Sequence, residues 1–256
     1  MGAEQARSYG TILLIMTFAT YGCGNSPVRN TLAPTGSPSV VVPATAASQA
    51  DVVIPFDPAN FPGTVQNPYF PLVPGTIYTY RQETPEGVEI NTVEVTRHTK
   101  TILGVQTTIV HDQVLLNGAL SEDTFDWEAL DKNGNVWYFG EDTRTLGPPV
   151  STTGSWEAGV NGAQPGVIML AHPSIGDTYL QENAPGVVAD QARVKSLNET
   201  ITVPYGTFTN CLKTQEWTPI EPGSRAFKYY ARGIGTIEED ENHNGGPVVL
   251  TDFHTP

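Results

Sequence analysis

The residues with the greatest potential for chemistry are carboxylates interleaved with aromatic side chains between positions 122 and 142. Two neighbouring carboxylates can divide acid and base roles in hydrolysis or elimination of glycosides, and tryptophan faces stack on sugar rings. A further tryptophan–glutamate pair follows a glycine-containing loop at positions 156 and 157. The candidate catalytic residues are Asp123, Asp126, Asp131, Glu141 and Glu157, and the candidate ligand-binding residues are Trp127, Trp137 and Trp156.

The spacing of these residues also has a purely structural interpretation. Along a β-strand, Asp126 and Glu128 share one face, whereas Phe125 and Trp127 share the other. The simpler expectation is therefore an aromatic face turned to the core and an acidic face turned to solvent. Catalysis would instead require two of the candidate carboxyls to converge on a cleft, with the pKa of at least one of them raised.

A second candidate site is a calcium loop, because residues 240–245 match the first six positions of the pattern D-x-[DN]-x-[DN]-G. The candidate ligands are Asp240, Asn242 and Asn244. Position twelve is Thr251 instead of a bidentate glutamate, and no flanking helices are predicted, so a polar hairpin loop is the alternative. No other cofactor is predicted, since the five histidines occur singly and no phosphate-binding glycine loop is present.

The elements that must position these residues are predicted to be strands. The chain has 25 glycines and 21 prolines with only 16% charged residues, and its apolar residues alternate with Thr, Glu or Lys at period two. Two stretches contain similar strand-like and turn segments in the same order, with Gly75 and Gly134 in the first and Gly176 and Gly235 in the second. We expect an all-β fold, an antiparallel barrel or sandwich built from two similar meander halves at about 67–150 and 165–256, within a single β domain over residues 67–256.

The N-terminal residues have the features of an export signal. Arg7 precedes an apolar run at 11–19 that is too short to span a bilayer, which indicates a signal peptide over residues 1–22. Residues 19–25 resemble a bacterial lipobox, and this resemblance implies lipidation of Cys23. Gly22 fits that pattern, whereas Thr20 and Tyr21 depart from it, so ordinary cleavage with a free Cys23 is the alternative.

Residues 23–66 are rich in Pro, Ser, Thr, Ala and Val and nearly free of charge, which is typical of a flexible tether. The alternative for its last part, residues 54–62, is to dock along the domain in an extended conformation. Cys211 lies in a strand-like pattern and is expected to be a buried, inert thiol.

The formal net charge of −14 repels phosphate backbones and anionic headgroups. Nucleic acid is therefore excluded as a partner, and any membrane contact is expected through the lipid anchor. Cations and neutral ligands are compatible with this charge, so the expected partner is a small molecule or an envelope component.

Three segments carry a resemblance to a group of bacterial lipoproteins without an assigned activity. Their domain opens with YFPL-x-x-G-x-x-W/Y-x-Y and later runs VP-x-GTF-x-x-C and YY-A-x-G-V/I-G. The matching segments here are 69–80, 203–211 and 229–235. The resemblance implies an exported β domain and transfers no site residues.

Two hypotheses follow. The leading one is a non-enzymatic envelope lipoprotein whose β domain binds a small or apolar ligand or an envelope partner. The alternative is a secreted carbohydrate-active enzyme, a hydrolase or lyase, that uses paired carboxylates next to tryptophans. A cavity inside the domain would favour the first hypothesis, and an open cleft lined by carboxylates would favour the second.

Overall fold

A computed structural model describes residues 51–241 and 245–256. Within these ranges the chain forms one short 3₁₀ helix at Pro58–Asn60 and thirteen strands. The strands are β1 (Ile77–Thr84), β2 (Gly87–Ile102), β3 (Val105–Leu116), β4 (Ala119–Leu130), β5 (Val136–Thr145), β6 (Trp156–Glu157), β7 (Gly166–Met169), β8 (Thr178–Leu180), β9 (Gln191–Val203), β10 (Gly206–Trp217), β11 (Ala226–Ala231), β12 (Gly235–Asp240) and β13 (Val248–His254).

All thirteen strands belong to one antiparallel sheet, which confirms the predicted all-β class. Its order is β6-β5-β4-β3-β2-β1-β13-β12-β11-β10-β9-β8, with β7 paired to β5. Two runs of consecutive strands therefore meet where β1 pairs with β13. The sheet remains open between β6 and β8, although an isolated bridge from Gln164 to Asn183 joins the segments beside these ends. The internal duplication of the two runs stays a prediction.

Tight turns connect the long strands of the first run. Asn117 and Gly118 have φ values of 51° and 83° between β3 and β4, and Leu103 and Gly104 have 48° and 82° between β2 and β3. Two consecutive residues with positive φ form the turn that matches the twist of antiparallel strands. The Asn117-Gly118 turn fixes the register of β4 against β3.

The faces of β4 are the reverse of the simpler sequence expectation. Glu122, Asp126 and Glu128 are at most 1% exposed and lie on the interior face, whereas Phe125 on the other face is 37% exposed. The expectation of an acidic solvent face is therefore wrong. Period two defines two faces of a strand but does not say which one a curved sheet encloses.

The outer apolar face of β5 is covered by the segment before the first strand. Phe56 and Phe61 contact the rings of Trp137 and Phe139 at centroid distances of 5.8–5.9 Å, mostly edge to face. Val52 N–H donates to the Thr178 carbonyl at 2.7 Å. Residues 51–66, the last part of the predicted tether, therefore dock along the sheet.

The predicted signal peptide and Cys23 lie outside the described residues. Within the described ranges, none of the helical structure has the length and apolar character needed to cross a bilayer.

Candidate functional site

Three of the five candidate catalytic carboxyls lie apart from one another. Asp123 is on the outer face of β4, where its Oδ1 lies 2.8 Å from His111 Nε2 and accepts from Gln113 Nε2 at 3.0 Å. Asp131 accepts hydrogen bonds from backbone and side-chain donors that shape the β4–β5 turn. Glu157 accepts from Lys100 Nζ at 2.8 Å. These contacts assign structural roles to all three side chains.

The remaining two candidates do converge. Asp126 on β4 and Glu141 on β5 are cross-strand partners, and both side chains are buried in the interior. Tyr138 Oη donates to Asp126 Oδ1 at 2.7 Å. Burial raises the pKa of Asp126 to about 7, although the Tyr138 hydrogen bond acts in the opposite direction. Burial, followed by the charge of Glu182, raises the pKa of Glu141 well above its ordinary value.

The three candidate tryptophans are covered by other side chains. Lys100 Nζ lies 3.3 Å from the centroid of the Trp127 ring. Trp137 packs against Phe56, and its Nε1 donates to Asp131 Oδ2 at 3.0 Å. Trp156 Nε1 donates to Glu182 Oε2 at 3.0 Å. Since the three side chains are only 3–7% exposed, none presents an open ring face to a sugar.

The sequence reasoning missed most of the buried acidic residues. The structure buries eleven carboxyl side chains against a single basic one, Lys228, among the described residues. The acidic residues are Glu89, Asp112, Glu122, Asp126, Glu128, Asp131, Glu141, Glu182, Asp190, Glu216 and Glu239. The available signal was the alternation Glu122-x-Thr124-x-Asp126-x-Glu128, which becomes informative only once that face is known to be enclosed.

Lys228 neutralises one part of this interior. Its Nζ lies 3.3 Å from Glu216 Oε2 and 3.6 Å from Glu239 Oε2. Burial alone would lower the pKa of Lys228, but the two carboxylates more than offset this, so the net shift is upward. Glu216 Oε1 also accepts from Thr214 and Tyr230 at 2.9 and 3.1 Å. The second run of strands therefore supplies its own cation.

The first run of strands contributes carboxyls that have no buried cation at contact distance among residues 51–241 and 245–256. Burial raises the pKa of Glu122 to about 9, with added effects of the Asp112 and Asp126 charges. The pKa values of Asp112 and Glu128 are raised well above their ordinary values, mainly by burial and then by the charge of Asp126. Like charges in a low dielectric disfavour simultaneous ionisation. Simultaneous ionisation of these neighbouring carboxyls is therefore disfavoured.

A cavity lies directly against this part of the interior. Asp112, Asp126 and Glu128, here called the carboxyl floor, line it together with Tyr78, Tyr80, Val93, Val95 and Val110. The cavity has a volume of about 50 Å³. Partly exposed Phe70 and Pro71 also line it and form its rim.

Two oxygens of the carboxyl floor have no hydrogen-bond partner. Asp112 Oδ1 and Glu128 Oε2 are buried and unpaired, although the side chains are only 2% and 1% exposed. The other oxygen of Asp112 accepts from Asn91 Nδ2 at 3.4 Å, which is a long bond. Unsatisfied buried polar atoms cost about 1–3 kcal/mol each and are rare in folded proteins. The floor thus has unused hydrogen-bonding capacity.

A second, larger cavity of about 460 Å³ separates the docked segment from the strands beneath it. Val52, Ile54 and Phe56 line one side, and Val167 and Tyr179 line the other. Asp51 is the only charged residue in its lining. Gln164, Thr178, Asn183 and Gln191 add polar groups, so this groove is mixed in character and differs from the first cavity in having no cluster of buried carboxyls in its described lining.

The predicted calcium loop is described only in part. Asn242 and Asn244 lie outside the described residues, and Asp240 ends β12. Across the ranges 51–241 and 245–256, no group of three or more His, Cys, Asp or Glu side chains is arranged to hold a metal ion. The calcium site stays a prediction.

Cys211 is buried and makes no disulfide. Its side chain is fully covered within β10, as the sequence pattern predicted.

Comparison with known proteins gave one distant structural similarity. No family model matches the chain, and no curated protein matches it. A crystal structure described as a "putative lipoprotein" from Parabacteroides distasonis aligns with a TM-score of 0.40 and 13% sequence identity. The alignment covers 75% of this chain and all of that one. A similarity at this level does not identify a shared fold or function.

Proposed function

We propose that this protein is an exported envelope lipoprotein, anchored through Cys23, whose β domain binds a small molecule in its interior without transforming it. The observation that carries the proposal is the cavity with apolar walls and a carboxyl floor. Binding sites for small molecules combine an apolar lining with a few polar groups that fix orientation. The unpaired oxygens of Asp112 and Glu128 are such groups.

The carbohydrate-active alternative receives less support from the same geometry. Asp126 and Glu141 do lie side by side with raised pKa values, as a pair of catalytic carboxyls would. However, they are at most 2% exposed, and all three candidate tryptophans are covered. A polysaccharide needs an open cleft, whereas the cavity beside Asp126 has room for only a few water molecules.

Native mass spectrometry of the purified protein tests this proposal. We expect a small molecule to remain bound under non-denaturing conditions and to be lost on denaturation. Val93→Phe places a ring in the cavity and should abolish the adduct. Thr92→Phe, which adds the same ring on the opposite face of β2, is the matched control and should retain it. An adduct that survives Val93→Phe would place the ligand elsewhere and contradict the proposal.

A further inference from the structure

We propose that the cavity ligand is a small organic ammonium ion, whose charged head binds the carboxyl floor in exchange for a proton and whose apolar part contacts Tyr78, Tyr80 and the cavity valines. This inference rests on the proposed function, because it names the class of molecule that occupies the same cavity.

The charge balance of the interior supports a cationic ligand. Uncompensated carboxylates are costly to bury, and proteins pair them with a cation or keep them protonated. In the second run of strands Lys228 provides that cation for Glu216 and Glu239. Among the described residues no buried basic side chain forms an ion pair with the carboxyl floor, and Lys228 acts on Asp112 only as a smaller electrostatic influence that lowers its pKa. A bound ammonium group would occupy there the role that Lys228 has elsewhere in the interior.

The unpaired oxygens of the carboxyl floor also match the hydrogen-bond donors of an ammonium head. An ammonium head has several N–H donors and no acceptor. The unpaired atoms of the floor, Asp112 Oδ1 and Glu128 Oε2, are acceptors once the carboxyls are ionised. Charge-assisted hydrogen bonds of this type are about twice as strong as neutral ones. The donor set of the ligand therefore matches the acceptors that the cavity leaves unused.

The lining of the cavity favours an organic cation over a metal ion. Calcium takes 6–8 oxygen ligands, and the described residues contain no cluster of three suitable side chains. The cavity walls are instead aromatic and aliphatic. Tyr78 Oη and Tyr80 Oη already donate to the carbonyls of Ile234 and Thr236, so the rings are left to contact a ligand. These rings offer apolar contact area to the alkyl part of the ligand.

The size of the cavity limits the ligand. A volume of about 50 Å³ holds roughly three to five water molecules. An ammonium head with a short alkyl chain fits this space, and any larger substituent would have to extend past Phe70 at the rim. A linear amine of about four carbons is therefore a suitable probe.

The exchanged proton comes from the floor and passes to buffer, so one positive charge enters as one leaves. The ionisable groups that interact with Asp126 are on β3, β4 and β5 and in the segment after β8, and they are Asp112, Glu122, Glu128, Tyr138, Glu141 and Glu182. None of these groups is a basic side chain. Lys228 on β11 lowers the pKa of Asp112. Protons should therefore compete with the ligand, and affinity should rise with pH through about 7.

Isothermal titration calorimetry with n-butylammonium, 1-butanol, butyrate and CaCl₂ tests the inference on the purified protein. We expect n-butylammonium to bind at least tenfold more tightly than 1-butanol at pH 8. Its affinity should fall about fivefold from pH 7 to pH 6, because the ionised fraction of a group with a pKa of about 7 falls by that factor. Repeating the titration at pH 6, where Asp126 is mostly protonated, in two buffers that differ in ionisation enthalpy should show release of about one proton.

Glu128→Gln should weaken n-butylammonium at least tenfold and leave 1-butanol unchanged, whereas the exposed control Glu83→Gln should alter neither. If Glu128→Gln does not fold, Asp126→Asn replaces it, and proton release by the unmodified protein decides the question without a variant. Equal affinity for 1-butanol, tighter binding of butyrate, or displacement of n-butylammonium by Ca²⁺ would overturn the ammonium assignment alone. If no organic probe binds and no adduct is found by native mass spectrometry, the proposed function fails as well.

Discussion

Asp126→Asn should make the protein less sensitive to rising pH. The carboxyl of Asp126 is buried, and its pKa is raised from 3.8 to about 7 in the folded protein. Between these values the folded state holds a proton that the unfolded state has released. The free energy of unfolding therefore falls as pH rises from about 4 to about 7. Asparagine cannot ionise, so the variant loses this contribution.

The magnitude follows from the shift. A difference of about three pKa units corresponds to about 4 kcal/mol, or about 1.4 kcal/mol for each pH unit between 4 and 7. Neighbouring carboxyls change the result in the same direction. Removing the charge at 126 also eases ionisation of Asp112 and Glu128, which further flattens the pH dependence. Near pH 4 the substitution should have little effect, because Asp126 is protonated there in the folded protein.

Urea unfolding at pH 4.5, 6, 7 and 8, followed by tryptophan fluorescence, measures this slope. The unmodified protein should lose several kcal/mol between the extremes, and Asp126→Asn should lose about 3 kcal/mol less, since pH 4.5 lies above the unfolded pKa and only about 2.5 pH units separate it from the folded pKa. Glu83→Gln changes an exposed carboxyl paired with Arg81 and should leave the slope unaltered. A slope in Asp126→Asn equal to that of the unmodified protein would refute the claim that this carboxyl is protonated in the interior.

Four further predictions test other parts of the structure. Lys228→Met leaves two buried carboxylates unpaired and should cost about 3–5 kcal/mol at pH 8 but much less at pH 5, as urea unfolding at the two pH values will show. Gly140→Ala should lower the melting temperature of the protein by more than Gly118→Ala. Both residues have positive φ, but a Cβ at 140 would overlap the backbone of β6, whereas a Cβ at 118 would enter open space at the β3–β4 turn. Phe56→Ala should cost about 2 kcal/mol and shift the emission of the buried Trp137, which fluorescence-monitored unfolding can measure, and an unchanged spectrum would contradict the docking of residues 51–66. Cys23→Ser should move the protein from the membrane fraction to the soluble exported fraction and abolish labelling by radioactive palmitate, and retention in the membrane would argue against lipid anchoring.

The strand content could be predicted from the sequence because it depends on local pattern. Period-two alternation and the Asn117-Gly118 turn signal are readable without knowledge of the fold. The pairing of β1 with β13 could not be predicted in the same way, since it joins segments more than 160 residues apart and depends on how the whole sheet curves.

The candidate site was predicted only in part for the same reason. Alternation placed Asp126 and Glu128 on one face, but the choice between interior and solvent depends on tertiary structure. Because carboxylates are usually exposed, the residue types on that face favoured solvent. The structure encloses that face, and it also covers Trp127 and Trp137 on the outer face with Lys100 and Phe56. The docking predicted as the alternative for residues 54–62 agrees with the structure, in which Phe56 and Phe61 pack against the core.

The central claim is that the carboxyl floor carries a proton that a cationic ligand replaces. Side-chain ¹³C NMR of Asp126, titrated from pH 4 to pH 9 with and without n-butylammonium, tests this claim most directly. Without ligand, the Asp126 carboxyl should titrate with a midpoint near 7, and a saturating probe should lower that midpoint by at least one pH unit. A midpoint near 4 that does not respond to the probe would contradict both the enclosed proton and its exchange.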